Sequence, residues 1–263
     1  MSVALRLAEA GLVPDAAVRA GIRRLLADRL ADERRKSLVP GAAARFVAEL
    51  RASPIAIHTA AANEQHYEVP PAFFEIVLGR RLKYSSCVYP PGVTTLDDAE
   101  EAMLALTTDR ARLADGQEVL ELGCGWGSLT LFMAERFPRS RITAVSNSAP
   151  QRQFIEARAK GRGITNVRVI TADINEFEAP GRFDRVVSVE MFEHLRNYER
   201  LFAKIASWLV PDGLVFVHVF CHREFAYPFE AKGDDDWMAR HVFTGGVMPS
   251  DTLFARKDAG RAR

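Results

Sequence analysis

The stretch Leu120-Glu-Leu-Gly-Cys-Gly-Trp-Gly127 constrains this chain more than any other. It closes a short apolar run, Glu118-Val-Leu-Glu-Leu122, and leads into a helical segment over 129–136. Glycine tolerates left-handed backbone and lets a ligand approach the main chain. Glycines at 123, 125 and 127, set between a strand and a helix, therefore predict a ligand-cradling turn at the carboxyl end of a parallel sheet.

The residues that follow keep the same rhythm. Strands are predicted over 141–145, 167–171, 183–189 and 214–219, with helices over 149–160 and 190–210. Strands separated by helices form right-handed βαβ units. The predicted fold class is α/β, a Rossmann-like and mostly parallel sheet with helices on both faces. Upstream, Pro14-Asp15 starts a helix that puts Val18, Ile22, Leu25, Leu26 and Leu30 on one face. Its other side carries Arg19, Arg23, Arg24, Arg34, Arg35 and Lys36. That side is either a solvated face or a surface for peripheral contact with anionic lipid or an acidic partner. A break over 37–41 precedes a second short helix over 42–51. The predicted organisation is a helical extension over 1–60, a ligand-binding domain over 61–250 and a frayed or truncated tail over 251–263.

Composition acts by exclusion. With 263 residues, 48% hydrophobic and 26% charged, the chain has the make-up of a globular protein with a sizeable core. Thirty-five basic against 34 acidic side chains leave a net charge of +1, with no footprint for nucleic acid. Three scattered cysteines make no disulfide framework, which predicts a reducing, cytoplasmic setting. No apolar run approaches the ~20 residues that span a bilayer. The first residues, which include Glu9 and Asp15, do not read as a secretory signal. No metal-ligand spacing occurs, since Cys221-His222 have no partner pair in the sequence.

Details of the loop choose among cofactors. A dinucleotide fingerprint needs a helix-packing glycine at 128, where Ser128 stands. Glu121, just before the first glycine, is ill suited to a pyrophosphate and well suited to a cationic ligand. The second strand leads to Asn147, with Gln151 one helical turn on, both neutral partners for hydroxyls. After the third strand, Asp173-Ile174 is placed to meet an adenine amine and its ring, although an aspartate there also serves as a cap. This order favours S-adenosylmethionine over NAD.

With these motifs the chain resembles the cyclopropane-fatty-acyl-phospholipid synthase superfamily of class I methyltransferases, and within it the coclaurine N-methyltransferase-like proteins. The resemblance runs from about Pro54 to Ser250. It rests on Ala61-Ala-Asn-Glu-Gln-His-Tyr-Glu-Val-Pro70, Leu82-Lys-Tyr-Ser-Ser-Cys87, Thr95-Leu-Asp-Asp-Ala-Glu100, the 119–128 loop, Asn147-Ser148 with Gln151, Glu190-Met-Phe-Glu-His194, and Gly245-Gly246 with Met248-Pro249-Ser250. It implies that Tyr84 and Ser85 touch the cofactor together with Gly123, Gly125, Asn147, Gln151, Asp173 and Ile174.

The reacting groups are expected where the fourth strand ends. Glu190 and His194 stand four apart, so a helix would put both on one face, with Glu193 beside them. Two carboxylates and an imidazole make an acid–base set for an amine that must shed a proton before attacking a methyl sulfonium. Acids in a first helical turn also occur for dipole reasons, and His194 could be structural. The resemblance implies that Glu190, Glu193 and His194 hold and deprotonate the amine. It also implies an alternative, a cyclopropane synthase acting on lipid, with bicarbonate held by Cys87, Glu193 and His218. Cyclopropane synthases carry glycine where this chain has Glu190, which leans toward a small-molecule amine acceptor. Phe225, Tyr227, Phe229, Trp237, Phe243 and Met248 follow the fifth strand and form either a pocket wall or a packed lid. The two further strands that usually complete such a sheet are expected to be absent after Ser250. That leaves a non-catalytic cofactor-binding chain as a further alternative.

Overall fold

Five short apolar segments pair side by side, and the central one, Glu118–Leu122, is buried on both faces from Val119 on, the pattern of a parallel sheet covered by helices. The computed structural model describes residues 3–57, 70–230, 233 and 237–254. Most of the 61–70 motif, and the tail beyond 254, lie outside the described residues. The strands are β1 (Glu118–Leu122), β2 (Arg141–Ser146), β3 (Val167–Thr171), β4 (Phe183–Val189) and β5 (Leu209–His218). Their order is β3-β2-β1-β4-β5, and every pairing is parallel. The chain winds outward from β1 to β3, returns, and winds outward again through β4 and β5. The strand order thus reverses between β1 and β4, the place where such sheets open a ligand crevice.

Two units divide the chain. The sheet unit comprises 58–192 and 199–219; the helical unit comprises 1–57, 193–198 and 220–263. In the sheet unit, Val119, Leu120 and Leu122 of β1, Ile142 of β2 and Val187 of β4 are almost wholly buried. On one face Val119, Ile142 and Val187 pack with Leu104, Phe132 and Met133. Further along the same face, Ala144 and Val169 meet Leu131 and Ile155.

Local chemistry sets the helix ends that matter for the site. The helix α6 (Ser128–Arg136) follows Gly127, whose φ of 81° only glycine takes without strain. An added Cβ there would lie 2.6 Å from Ile155 Cγ1, on the helix α7 (Ala149–Gly161). Ser148 caps α7, its hydroxyl accepting from the Gln151 N–H. Upstream, α5 (Leu96–Arg110) starts at Thr95, whose hydroxyl accepts from the Asp98 N–H at 3.2 Å.

In the helical unit, α1 (Val3–Glu9) comes first, and α2 (Asp15–Ser37) and α3 (Ala42–Ala52) form as the sequence pattern predicts, with a break at Leu38–Gly41. The apolar face expected on α2 is not buried, however. Ile22, Leu25 and Leu26 are all more than half exposed. A two-stranded antiparallel pair, β6 (Tyr227–Pro228) with β7 (Val247–Met248), follows in the same unit.

The expected helix over 190–210 does not form as one piece. Glu190 has φ 52°, a single 3-10 turn covers Phe192–His194, and α8 (Tyr198–Trp208) begins four residues later. The Glu190 N–H donates to His218 O at 2.8 Å, so β4 pairing carries one residue past the strand, and the left-handed backbone at Glu190 keeps that residue out of a helix. The fifth strand also begins earlier than expected. Leu209 pairs with Phe183, the chain bulges through Asp212 at φ 64°, and pairing resumes at Leu214.

Gly127→Ala combines a left-handed residue with an overlap on Ile155, and should destabilise the fold by about 2–4 kcal/mol in urea unfolding. In an Ile155→Ala background the penalty should shrink, because that change removes the Cγ1, Cγ2 and Cδ1 atoms that the new Cβ meets.

Candidate functional site

Each glycine of the loop between β1 and α6 is set against a different element. Gly123, Gly125 and Gly127 have φ of 79°, 51° and 81°. A Cβ on Gly123 would lie 2.9 Å from the Met191 side chain, just past β4. One on Gly125 would lie 3.2 Å from the Tyr84 ring, and one on Gly127 would overlap Ile155. The backbone thus runs in close contact with the end of β4, with the 82–85 loop and with α7. The Gly123 and Cys124 N–H groups donate to Val145 O at 3.0 and 3.1 Å, which ties the turn to the end of β2.

The same loop lines a pocket whose other walls include Lys83, Tyr84, Ser85, Ser128 and Glu190. All of these belong to the sheet unit. Tyr84 is backed by Phe74, which leans on Trp126 at 5.4 Å between centroids. Lys83 was not anticipated as a site residue. It is buried, and its Nζ donates to Ser85 O at 2.5 Å. Burial pushes its pKa down, against the opposing pull of Cys87 and the carboxylates of Glu190, Glu100 and Glu121. A charged residue between Leu82 and Tyr84 was the available signal, but local spacing alone does not distinguish it from a solvated lysine.

Glu121 is buried and accepts from Thr130 Oγ1 at 2.5 Å. Burial raises its pKa to about 7, while the Thr130 hydrogen bond and Lys83 oppose the rise. Downstream of β2, Ser146 Oγ donates to Gln151 Oε1 at 2.6 Å. The Gln151 Nε2 and Ser128 Oγ atoms are buried with no hydrogen-bond partner among the described residues. A buried polar group without a partner costs about 1–3 kcal/mol, so these atoms fit a site completed by a polar ligand. Glycine contacts, a buried acid and two unsatisfied polar atoms together match what S-adenosylmethionine would need. Asp173 Oδ1 accepts from Asn175 N–H and Nδ2 at 2.8 and 2.9 Å, a turn-forming role alongside any ligand role. Ile174 is buried. Asn147 directly follows the carboxyl end of β2.

The predicted acid–base residues are assigned to different units. Glu190 stays in the sheet unit, where its Oε1 lies 3.5 Å from His218 Nε2. Burial lowers the His218 pKa below its usual value, partly offset by Glu190. Glu193 and His194 belong to the helical unit. There Glu193 is buried, and the His194 ring lies 5.2 Å from Phe243. Phe220 and Phe229 also pack on Phe243, at 5.1 and 5.0 Å. The predicted single helical face holding Glu190 and His194 does not exist, because Glu190 leaves the strand with positive φ. Cys87 Sγ lies 3.8 Å from Lys83 O, and burial raises its pKa. Among the described residues, no three His, Cys, Asp or Glu side chains cluster so as to hold a metal ion. None of the described helices is long and apolar enough to cross a membrane.

Comparison with known proteins follows the same lines. The family model described as mycolic acid cyclopropane synthetase matches residues 56–258. An (S)-coclaurine N-methyltransferase from Thalictrum flavum subsp. glaucum is 44% identical over 259 residues, covering 95% of this chain and 70% of that enzyme. A crystal structure of coclaurine N-methyltransferase bound to N-methylheliamine and SAH superposes with a TM-score of 0.86 at 40% identity, covering 95% of this chain and 74% of that one. A cyclopropane-fatty-acyl-phospholipid synthase from Escherichia coli (strain K12) is 31% identical over 190 residues, covering 72% of this chain and 47% of that enzyme.

The raised pKa of Glu121 gives the site a pH signature. The group titrates at 4.5 in its reference state and about 7 when folded. Between those values the folded protein holds a proton that the unfolded chain has lost. Its stabilising contribution is therefore present at low pH and fades as pH rises to about 7. A cation bound at the loop favours the carboxylate. Calorimetric titration with S-adenosylmethionine should show proton release and tighter binding as pH rises from about 6 to about 8, and Glu121→Gln should flatten that dependence.

Proposed function

The chain belongs to the mycolic acid cyclopropane synthetase family and is an S-adenosylmethionine-dependent methyltransferase; on that premise we propose that it methylates the nitrogen of a small-molecule amine. The observation that carries this reading is the Glu190 carboxylate at the end of β4, beside His218 and on the wall of the glycine-loop pocket. The more extensive similarity to N-methyltransferases than to the cyclopropane synthase supports it.

S-adenosylmethionine supplies, when bound, an electrophilic methyl group on a sulfonium. The glycine turn, Tyr84 and Ser85 would hold it, with Gln151 and Asp173 at the far strands. An alkyl amine is protonated near neutrality, because its pKa lies close to that of lysine, about 10. The protein must therefore bind a cation and then take its proton. A carboxylate at Glu190 favours the cation. His218, held toward its neutral form by burial, has a ring nitrogen able to accept the proton at neutral pH. Glu193 and His194 remain acceptor-side residues in this reading.

The test is methyl transfer from S-adenosylmethionine to a panel of primary and secondary alkyl amines, some carrying an aromatic ring elsewhere in the molecule, read by product mass. Wild-type protein should give an N-methylated amine without added bicarbonate. Glu190→Gln should lower kcat/KM by about 10²-fold or more, and His194→Ala should reduce transfer with cofactor affinity unchanged. A bicarbonate-dependent, methylene-bridged lipid product would instead establish the cyclopropane reading. Cofactor binding with no transfer to any amine or lipid would establish a non-catalytic chain.

A further inference from the structure

The Thr95-Leu-Asp-Asp-Ala-Glu100 motif is left without a role by the chemistry above, yet its carboxylates make the densest set of backbone contacts near the cofactor loop. Glu100, on α5, is fully buried. Its Oε1 accepts from the Gly79 N–H at 3.0 Å and the Lys83 N–H at 3.1 Å, and its Oε2 accepts from the Arg81 N–H at 2.9 Å. One turn earlier, Asp97 Oδ1 accepts from the Arg80 N–H at 2.7 Å. Two carboxylates thus gather four amides from a five-residue span. Charge-assisted bonds of this kind are short and directional.

The span is shaped to receive them. A Cβ on Gly79 would lie 2.6 Å from Asp97 Oδ1 and 2.7 Å from Glu100 Oε2, so only glycine admits both acids. Leu82 and Ser86 have φ of 53° and 34°. Left-handed backbone is strained for these residue types and persists only where the surroundings hold it. Between them, Lys83 Nζ donates to Ser85 O at 2.5 Å and to Ser85 Oγ at 3.3 Å. The outcome is a fixed Tyr84, whose ring lies 3.2 Å from the place a Cβ on Gly125 would occupy.

We propose that Glu100, assisted by Asp97, is a positioning residue for the cofactor: it clamps the 79–83 amides so that Tyr84 and Ser85 close over the glycine turn. It touches no reacting atom and acts through the loop. The inference rests on the assignment of the glycine turn as the S-adenosylmethionine site. A carboxylate buried this deeply is weak evidence of a stability role alone, since apolar packing stabilises as well or better. Its fit to three amide donors gives it the loop's geometry to hold.

The experiment compares Glu100→Gln, Glu100→Ala and Asp97→Asn with the wild-type chain. Three quantities are measured: S-adenosylmethionine affinity by calorimetry, the separate KM values for cofactor and amine, and hydrogen exchange of the 79–85 amides. Glu100→Gln keeps one acceptor oxygen and should weaken cofactor binding about tenfold; Glu100→Ala should weaken it by about a hundredfold, and Asp97→Asn by about threefold. The 79–85 amides should exchange faster in all three. At saturating cofactor, kcat and the amine KM should stay within about twofold of wild type, a split that general destabilisation does not produce.

A folded Glu100→Gln protein with faster exchange at 79–85 and unchanged cofactor affinity would overturn the proposal. So would a rise in the amine KM equal to that in the cofactor KM. Should both Glu100 variants fail to fold, Asp97→Asn decides: unchanged affinity with faster exchange overturns the clamp, and weakened affinity supports it. A wild-type chain that binds no S-adenosylmethionine would instead remove the cofactor assignment, while the exchange data still show whether the clamp holds the loop.

Discussion

The site depends on backbone contact at three glycines. Between β1 and α6 the chain turns through positive φ at Gly123, Gly125 and Gly127, and at each turn another part of the sheet unit comes within van der Waals reach. Met191 packs at the first, Tyr84 at the second and Ile155 at the third. The end of β4, the 82–85 loop and α7 are thereby fixed relative to one short segment. Glycine contributes here by having no side chain, since a side chain at any of the three would push one of these elements away. The reversal of strand order between β1 and β4 opens the crevice, and the glycine contacts define its walls.

Around that turn the sheet unit buries charge. Glu121, Glu100 and Lys83 are each almost wholly removed from solvent. Each has found partners: the Thr130 hydroxyl for Glu121, three amides for Glu100, and the Ser85 carbonyl and hydroxyl for Lys83. Buried ionisable groups are expensive for a fold and commonly mark places where geometry or chemistry matters. Their position beside the glycine turn would give that cost a function once a cationic cofactor is bound. Glu121 is poised to lose a proton when positive charge arrives, and Glu190, 3.5 Å from His218, lines the glycine-loop pocket from the end of β4.

The sheet was legible because its signals are local. Each of β1 to β4 is a short apolar run bounded by turn residues, and the Gly-rich loop sits at the strand-to-helix junction where a ligand turn is needed. Residue pattern pointed to Gln151 and Glu190, and the resemblance added Tyr84. The segment over 190–210 was harder. Glu190-Met-Phe-Glu-His194 is made of adequate helix formers, yet the Glu190 amide is claimed by His218 O on the neighbouring strand. Tertiary pairing overrides propensity there. Lys83 and Glu100 were missed because their partners are defined by burial and by contacts across 17 to 21 residues, which no periodicity displays. On α2, spacing identified the helix, but spacing does not show whether Ile22, Leu25 and Leu26 are covered.

The most direct measurement is a calorimetric titration of S-adenosylmethionine into the wild-type chain and into Gly125→Val, with folding of both established by unfolding curves. The branched side chain would occupy the space between the loop and Tyr84. The account predicts saturable binding to wild type and a loss of about a hundredfold or more in the folded variant, a difference of roughly 2.7 kcal/mol. Equal affinity in a folded Gly125→Val protein would contradict it, because the cofactor would then be held somewhere other than the glycine turn.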